Sequence, residues 1–425
     1  DQAQPDVWQH AFGGDGITTR IEPVFGQRVW MSSQRGNIVV SVNGANAPEF
    51  DANGAWGPRE TSGDRKSFLM PFDLYKYGDT AVADSGCAGS SGCNHLIAGT
   101  YRVWESVNGA SGATAASRWV AISPDLTKNN LVVGSDNRSV IQALRFAVST
   151  RRVAMAGTLD GNVWFGFGLG TGAASWVNVT GNNAVLPNRS ILGVATDPLT
   201  PTIGYAAVAG FGANTPATPG HVYQVRCNAD CSSFSWRDVS GNLPDVPANV
   251  VMVNPWIPRQ VFVGTDWGLY YTDDVEAPQP VWRRFASLPR AMVWDMSIDR
   301  GFTTLAVFTR SRGAWVWPLP RQLTPAGPQD EPSLSRYALP TPNPPNANCP
   351  SGFFTAIVDD GPGAELTAGA FGMEVLLDDP GTRVLAGGLN FGGLIDAGQV
   401  GFAAFNIANA ANENQRQMHH AAHDE

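Results

Sequence analysis

The stretch that decides the fold runs from Val250 to Phe285 and reads VVMVNPWIPRQVFVGTDWGLYYTDDVEAPQPVWRRF. It contains four short runs rich in Val, Tyr, Phe and Trp, separated by turns that contain Pro, Gly or Asp. β-Branched and aromatic residues favour a half-buried strand, whereas Pro and Gly interrupt one. Four antiparallel strands followed by a fresh start are the unit of a β-propeller blade, and one blade needs similar neighbours to bury both of its faces.

Further stretches of the chain repeat this pattern. They begin near Gly13, Phe68, Ile141, Ile191 and Val293. Two features recur, namely a second strand of small residues that ends in Gly-Thr and a Trp that opens the fourth strand. These tryptophans are Trp56, Trp119, Trp176, Trp236 and Trp282. Repetition at this period predicts an all-β protein, a propeller of about six four-stranded blades in which the repeated tryptophans pack between neighbours.

The last repeat lacks its fourth strand, and the N-terminus has a spare one. The segment Asp6–His10 carries Trp8 just before the first repeat. Pairing this segment beside Ala314–Pro318 would close the ring and remove two open sheet edges, which are a liability in β proteins. The alternative is that Trp8 belongs to a blade whose other strands lie upstream of this chain.

Four regions follow from the pattern. Residues 1–320 form the predicted propeller, and the Pro-rich residues 321–348 form a linker. Residues 349–410 alternate apolar runs with turns and predict a small β-sandwich-like unit. Residues 411–425 form a polar tail, in which three histidines are better explained by a frayed terminus than by a metal site.

Composition excludes several functions. Charged residues make up 15% of the 425 residues, and the net charge is −9 with no basic patch, which argues against a nucleic-acid partner. No apolar run is long enough to span a membrane. The chain begins at Asp1 without Met, so we expect a processed product. No cofactor or metal site is expected, although a structural calcium ion would be compatible with the fold.

The five cysteines are few but closely spaced. Cys87 and Cys93 flank a short loop, as do Cys227 and Cys231, and either pair is able to close that loop with a disulfide in an oxidising compartment. Free thiols in surface turns are the alternative. Cys349 is left without a partner. The cysteines therefore predict two disulfides and a secreted or cell-surface protein.

The repeats resemble those of the sialidase-like, BNR-repeat propellers, a superfamily that includes the xyloglucanase-type glycosidases and the sortilin-type receptors. In that superfamily a Ser-x-Asp-x-Gly-x-Thr-Trp turn, the Asp box, joins the third and fourth strands. Ser41–Gly44 and Ser106–Gly109 read Ser-Val-Asn-Gly at the matching places, and Thr272–Asp274 stands there in the fifth repeat. The closing FTRSRGAWVWPLP, which ends at Pro320, is similar to the final strand of such propellers.

The resemblance suggests where catalysis would occur. Sialidases need an Arg-Ile-Pro signature, which Arg20–Pro23 interrupts with Glu22, and a Tyr–Glu pair, which is not evident. Xyloglucanase-type enzymes use two aspartates across a cleft, and inversion needs carboxylates roughly 6.5–9.5 Å apart. Asp15, Asp266 and Asp295 are the candidates near strand ends. For each of them an ordinary turn or strand-end role is the alternative.

Two further residues suggest a binding role. Trp267 interrupts the repeat in a turn, and Arg310 follows its strand much as Asp266 follows the fifth Gly-Thr, so we predict that both residues face a ligand at the mouth of the propeller. Three functions remain open. The chain is an exported propeller that binds a glycan or protein partner, a glycoside hydrolase acting on an extracellular polysaccharide, or a component of a surface assembly that docks through its C-terminal unit.

Overall fold

A computed structural model of the chain describes residues 16–42, 63–82, 85–87, 92–111, 118–134 and 136–321. Beyond them it describes the backbone of four short strands. The strands of the first three blades are β1 (Thr18–Ile21), β2 (Val29–Ser33) and β3 (Asn37–Ser41) in blade 1, β4 (Phe72–Leu74), β5 (Leu96–Gly99), β6 (Val103–Ser106) and β7 (Val120–Ala121) in blade 2, a separate hairpin of β8 (Val132–Val133) and β9 (Asp136–Asn137), then β10 (Ile141–Ala147), β11 (Thr150–Thr158), β12 (Val163–Phe167) and β13 (Ser175–Asn178) in blade 3.

The second half of the ring repeats this order. Its strands are β14 (Ile191–Thr196), β15 (Ile203–Val208), β16 (Val222–Cys227) and β17 (Phe234–Asp238) in blade 4, β18 (Ala248–Val253), β19 (Val261–Thr265), β20 (Gly268–Thr272) and β21 (Arg283–Arg284) in blade 5, and β22 (Val293–Ile298), β23 (Thr304–Thr309), β24 (Ala314–Pro318) and β25 (Ser335–Arg336) in blade 6. Within each blade, every strand pairs antiparallel with the next. The predicted six-bladed propeller is confirmed.

The first strand of each blade is the inner one. First strands of successive blades contact each other along β4, β10, β14, β18 and β22. The fully buried side chains lie between neighbouring sheets, as in the cluster that joins Val163 and Phe165 of blade 3 to Val194 and Tyr223 of blade 4. The core is therefore a ring of inter-blade layers around an axis, which leaves polar side chains of the inner strands facing that axis.

The Gly-Thr ending of the second strand has a packing cause. A Cβ on Gly157 would lie 2.4 Å from Ile191 at the start of the next inner strand, and one on Gly264 would lie 2.4 Å from Val293. Contacts this short do not occur between real side chains, so only glycine lets successive blades approach this closely. The repeated glycine is thus a consequence of blade packing.

The repeated tryptophans within the described residues connect neighbouring blades, and Trp119 and Trp176 do so by packing into clusters shared by two blades. Trp56 lies outside the described residues. The Trp236 indole of blade 4 donates a hydrogen bond to the carbonyl of Val179 after blade 3, at 2.6 Å. The Trp282 indole of blade 5 donates in the same way to Val239 after blade 4, at 2.9 Å. Buried indole N–H groups are usually paired in this way, whereas those of Trp119 and Trp176 have no hydrogen-bond partner among the described residues. Trp236 and Trp282 therefore combine apolar burial with a directional contact to the preceding blade.

The Ser-x-Asn-Gly turn of blade 2 is held by its own side chains. Ser106 Oγ donates to Asn108 Oδ1 at 2.8 Å and accepts from the Ala110 N–H at 2.8 Å. The Gly109 carbonyl accepts from the Trp30 indole of blade 1 at 3.0 Å. An Asn side chain supplies the acceptor oxygen that an Asp would, so the replacement preserves the turn. Membership of the BNR-repeat superfamily stays a prediction.

Blade 6 takes its fourth strand from the segment predicted as a linker. The outer edge of β24 pairs with Ser335–Arg336, through Trp315 with Arg336 and Val316 with Ser335. The predicted closing strand, Asp6–His10, lies outside the described residues. Blade 6 also contacts the segment after β4 of blade 2, because the Lys76 amine donates to Ser297 Oγ at 2.9 Å and Arg300 donates to the Gly78 carbonyl at 2.5 Å.

The region after blade 6 is described in part. β26 (Met373–Leu376), β27 (Arg383–Gly387) and β28 (Phe402–Asn406) form a three-stranded antiparallel sheet. The small β-sandwich-like unit at 349–410 and the tail at 411–425 stay predictions. Within the ranges that the structure describes, no helix has the length and apolar character needed to cross a membrane.

Both predicted cysteine pairs lie at disulfide distance. Cys87 and Cys93 are six residues apart in sequence and fully buried, and Cys227 and Cys231 are four apart. The Cys93 N–H donates to the Glu22 carboxylate of blade 1 at 2.9 Å, so the first disulfide loop also connects two blades. Cys349 lies outside the described residues.

Loss of the second disulfide tests the pairing. We expect Cys227→Ser/Cys231→Ser to lower the free energy of unfolding by about 2 kcal/mol or less, because closing so short a loop constrains the unfolded chain only modestly. Mass spectrometry of unreduced peptides would show both cross-links in the wild-type protein. Free thiols at all four positions would contradict the pairing and the exported location together.

Candidate functional site

The two ends of the propeller carry different loops. In blade 5 the start of the inner strand at Ala248 pairs with the end of the second strand at Thr265, and the inner strand's last residue, Val253, pairs with Val261. Inner strands therefore begin on the face where second strands turn into third strands. We call this the upper face, and the face with the turns between first and second strands the lower face.

The predicted residues Asp266 and Trp267 lie on the upper face, in the turn after β19. The Trp267 ring is 49% exposed, and the Arg290 guanidinium lies 5.5 Å from its centroid. The turn is fixed from inside, because Thr265 Oγ1 accepts from the Trp267 N–H at 3.0 Å and donates to the Gly268 carbonyl at 2.9 Å. A rigid turn thus presents a half-exposed indole beside a cation.

Asp266 and Arg310 belong to neighbouring blades of the same face. The Asn249 amide donates to Asp266 Oδ1 at 2.9 Å and to the Val293 carbonyl at 3.3 Å, so it joins blades 5 and 6. Arg310 lies 5.5 Å from the Trp294 ring. Burial lowers the pKa of Arg310, and the nearby Asp266 charge opposes that shift. Within the described residues the Arg310 guanidinium makes no hydrogen bond or ion pair. We call Asn249, Asp266, Trp267, Arg290 and Arg310 the mouth cluster.

The third predicted aspartate, Asp295, is engaged deeper along the axis. Arg145 of blade 3 contacts it at 2.6 Å and contacts Asp73 of blade 2 at 3.4 Å. Arg20 of blade 1 lies 3.0 Å from Asp73 and 4.0 Å from Asp295. Blades 3 and 6 stand opposite each other in a six-bladed ring, so Arg145 reaches across the axis. We call these four residues the axial ion-pair cluster.

The charges of the axial cluster balance one another. Two guanidinium groups surround two carboxylates, and Asp73 also accepts from the Phe146 N–H at 3.1 Å. A carboxylate in such contacts is held as an acceptor and is poorly placed to donate a proton to a substrate. The geometry therefore supports the structural alternative for Asp295, and its catalytic role stays a prediction. Asp15 lies outside the described residues.

Lys76 lies below the axial cluster, towards the lower face. Its amine donates to Ser297 Oγ at 2.9 Å and lies 5.5 Å from the Tyr77 ring. Burial, and then the positive charge of Arg20, lower its pKa to about 8, against the opposing effect of Asp73. The Tyr77 hydroxyl reaches the Ile298 carbonyl at 3.4 Å. The segment after β4 thus lies against blade 6 below the ion pairs.

Glu22, which interrupts the sialidase-like signature, is a buried turn residue. Its carboxylate accepts from the N–H groups of Val24 at 2.9 Å and Phe25 at 2.6 Å, in addition to Cys93. Its neighbour Arg20 is occupied by Asp73. This stretch therefore organises the blade 1 turn and the first disulfide loop.

Sequence reasoning missed Asp73, Lys76 and Arg145, which no motif marks. Their shared signal is a charged side chain on or just after an inner strand, a position where apolar residues dominate. Within the described residues, no group of three or more His, Cys, Asp or Glu side chains is arranged to hold a metal ion.

No protein-family model matches the sequence, and no curated protein matches it. Among solved structures, the chain is similar to the β-propeller domain of Cps50 (Swd1) from Myceliophteria thermophila, with 10% identity, a TM-score of 0.41, and coverage of 74% of this chain and 83% of that one. The class of protein, a six-bladed β-propeller, is defined by the chain's own blades.

Proposed function

We propose that this chain is an exported binding propeller that takes a glycan at the mouth cluster. The observation that carries the proposal is the half-exposed Trp267 ring, held in a rigid turn beside Asp266 and Asn249. A flat aromatic ring packs against the apolar face of a sugar, while neighbouring carboxylate and amide groups bond its hydroxyls. The cysteine pairs at disulfide distance support export.

Binding is favoured over hydrolysis by the state of the inner-strand carboxylates. Asp295 and Asp73 are both held by arginines, and Asp266 accepts from an amide. An inverting glycosidase needs one carboxyl group that gives up a proton and another that activates water. Hydrolysis of an extracellular polysaccharide is the alternative function. Its test is the joint replacement of Asp15 and Asp266 by Asn, which would abolish any hydrolysis while leaving thermal stability nearly unchanged.

A protein partner is the other ligand class for the same face. Propellers present a broad rim of loops, and exposed Trp and Arg side chains are frequent anchors of protein interfaces. Under this proposal the protein works within an extracellular or cell-surface assembly, to which the predicted C-terminal unit would dock.

Replacement of Trp267 tests the proposed site. We expect Trp267→Ala to weaken binding of a polysaccharide recognised by the wild-type protein about tenfold or more, because the ring supplies most of the apolar contact. Thermal stability should hardly change, since the ring is half-exposed. Isothermal titration against ligands found on an immobilised-glycan panel measures the effect.

The matched control is Trp256, which is 42% exposed at the opposite end of the same blade. Trp256→Ala should leave glycan affinity unchanged. Equal losses from both variants, or no glycan bound by the wild-type protein, would count against the proposed ligand. If the propeller instead captures a protein, and Trp267→Ala but not Trp256→Ala abolishes that capture, the proposed site is correct and its ligand is a protein.

A further inference from the structure

A second concave site lies on the upper face, away from the mouth cluster. It is a groove of about 410 Å³ between blades 3 and 4, in the size range of small-ligand sites. Its lining includes Leu159 and Ala209, which directly follow the second strands β11 and β15, and Ser190, which directly precedes the inner strand β14. Its two walls are the segment before hairpin β8–β9, with Asn130 and Leu131, and the loop after β15, with Gly210 and Asn214.

The lining is mixed in the way that saccharide sites are. Asn130, Asn188 and Asn214 contribute amide groups, each of which donates and accepts hydrogen bonds. Leu131 and Leu159 contribute apolar surface, and the Leu131 side chain is partly exposed. The groove therefore offers both kinds of contact that a sugar ring needs.

Arg189 supplies the charge of the groove. Its side chain lines the groove, with 7% of the residue exposed. Nη2 donates to the Gly220 carbonyl, whereas Nε and Nη1 have no partner in hydrogen-bond geometry among the described residues, although the Tyr223 hydroxyl lies beside the guanidinium. Burial lowers the pKa of Arg189, opposed by Tyr223 and Asp245. A guanidinium stays charged, so this desolvated cation lacks a close counter-ion.

The other charges of the groove do not supply that counter-ion. The Asp160 carboxylate accepts from Thr158 Oγ1 of its own turn at 2.6 Å and from the Lys128 N–H of the segment after β7 at 2.8 Å. The Lys128 amine contacts Asn188 Oδ1 at 2.6 Å, which places a second cation beside the groove. Asp245 is held by His221 at 2.8 Å and by the Gly212 N–H at 2.7 Å. Asp238, the other carboxylate that acts on the Arg189 charge, accepts from the Ser240 N–H at 2.9 Å. An oxyanion in the groove would therefore complete the electrostatics of the site.

We propose that this groove is a second ligand site of the propeller and takes a saccharide unit that carries an oxyanion, either a carboxylate or a sulfate. Arg189 provides the main positive charge, Lys128 a supporting one, and the asparagine amides bind hydroxyl groups. The saccharide part rests on the proposed function, whereas the oxyanion part rests on Arg189 alone.

Titration calorimetry with defined oligosaccharides tests the proposal. The probes are tetragalacturonate for the carboxylate, a κ-carrageenan tetrasaccharide for the sulfate, and neutral cellotetraose. We expect the wild-type protein to bind at least one acidic probe and to bind cellotetraose much more weakly. Arg189→Gln should weaken the acidic probe about 10- to 100-fold, the size expected for a charge-assisted hydrogen bond.

A blocking variant keeps the test valid if Arg189→Gln fails to fold. Asn214 is an exposed wall residue, so Asn214→Trp should fill the groove without disturbing the core and should abolish binding of the acidic probe. Trp267→Ala should leave that binding unchanged. The proposal is overturned if neither acidic probe binds, if cellotetraose binds as tightly, or if Asn214→Trp has no effect. Loss of acidic-probe binding in Trp267→Ala alone would also overturn it while supporting the mouth cluster.

Discussion

Replacing Arg145 by Met is expected to lower the free energy of unfolding by about 2–3 kcal/mol. Arg145 contacts both carboxylates of the axial cluster, Asp295 at 2.6 Å and Asp73 at 3.4 Å, whereas Arg20 lies 4.0 Å from Asp295. Without it, two partly buried like charges share Arg20. Breaking a buried ion pair costs about 3–5 kcal/mol, and the partial exposure of Arg145 and Asp295 places the effect below that range. Urea unfolding followed by tryptophan fluorescence measures it.

The control for this variant is an ion pair on the surface. Arg259 contacts Asp274 through two nitrogens, and both side chains are largely exposed. Arg259→Met should therefore cost less than about 1 kcal/mol. If the two variants shift the urea midpoint equally, the axial cluster is as well hydrated as a surface pair and does not hold the blades together. If the prediction holds, Asp295→Asn should lower the free energy of unfolding less in the Arg145→Met background than in the wild-type protein, because the two residues act as a pair.

The blade pattern was readable in the sequence because each feature is local and repeated. Gly157 and Gly264 each precede a Thr at the end of the second strand, in blades 3 and 5, because both must let the next inner strand approach. Trp236 lies within β17 and Trp282 directly precedes β21, and each reaches the carbonyl that follows the preceding blade. A packing solution that recurs around a ring leaves a periodic trace, and periodicity is what a single sequence reveals.

The axial cluster left no such trace, because its contacting members are 53 to 275 residues apart in the chain. The face of the sheet to which an inner-strand side chain points also cannot be predicted by simple alternation along the sequence. Register shifts between Ile141 and Ala143, and between Val293 and Asp295, break the alternation of the two faces. Asp295 is a predicted candidate because it lies near a strand end, but its partner Arg145 comes into contact with it only because blades 3 and 6 face each other across the axis.

The contribution of β25 was missed for a similar reason. Ser335–Arg336 lies in a Pro-rich stretch with weak patterning, and a two-residue strand needs no apolar alternation of its own. Its position depends on the free edge of β24, with which the sequence analysis predicts that Asp6–His10 pairs. Edge pairing is mostly backbone hydrogen bonding, so it carries little information about side chains.

Raising the pH from about 8 to about 9.5 is expected to stabilise the wild-type protein by about 1.5 kcal/mol relative to Lys76→Met. The Lys76 amine has a pKa of about 8 in the folded protein, against 10.5 ordinarily, because it is buried beside Arg20 and Arg145. Between these values the unfolded chain binds more protons than the folded one, so stability rises with pH. The stabilisation is present above the ordinary pKa and is lost as the pH falls through about 8.

The groups around Lys76 define how this measurement is made. The charges of Asp73, Asp295, Arg20 and Arg145 surround the amine, and the window ends below the range in which tyrosines ordinarily titrate. Urea midpoints for wild type and Lys76→Met at both pH values give the difference in slope. Lys76→Arg, which keeps a permanent charge, should lack the slope as Lys76→Met does. If all three proteins respond to pH alike, the Lys76 amine is hydrated in the folded protein and its burial is contradicted.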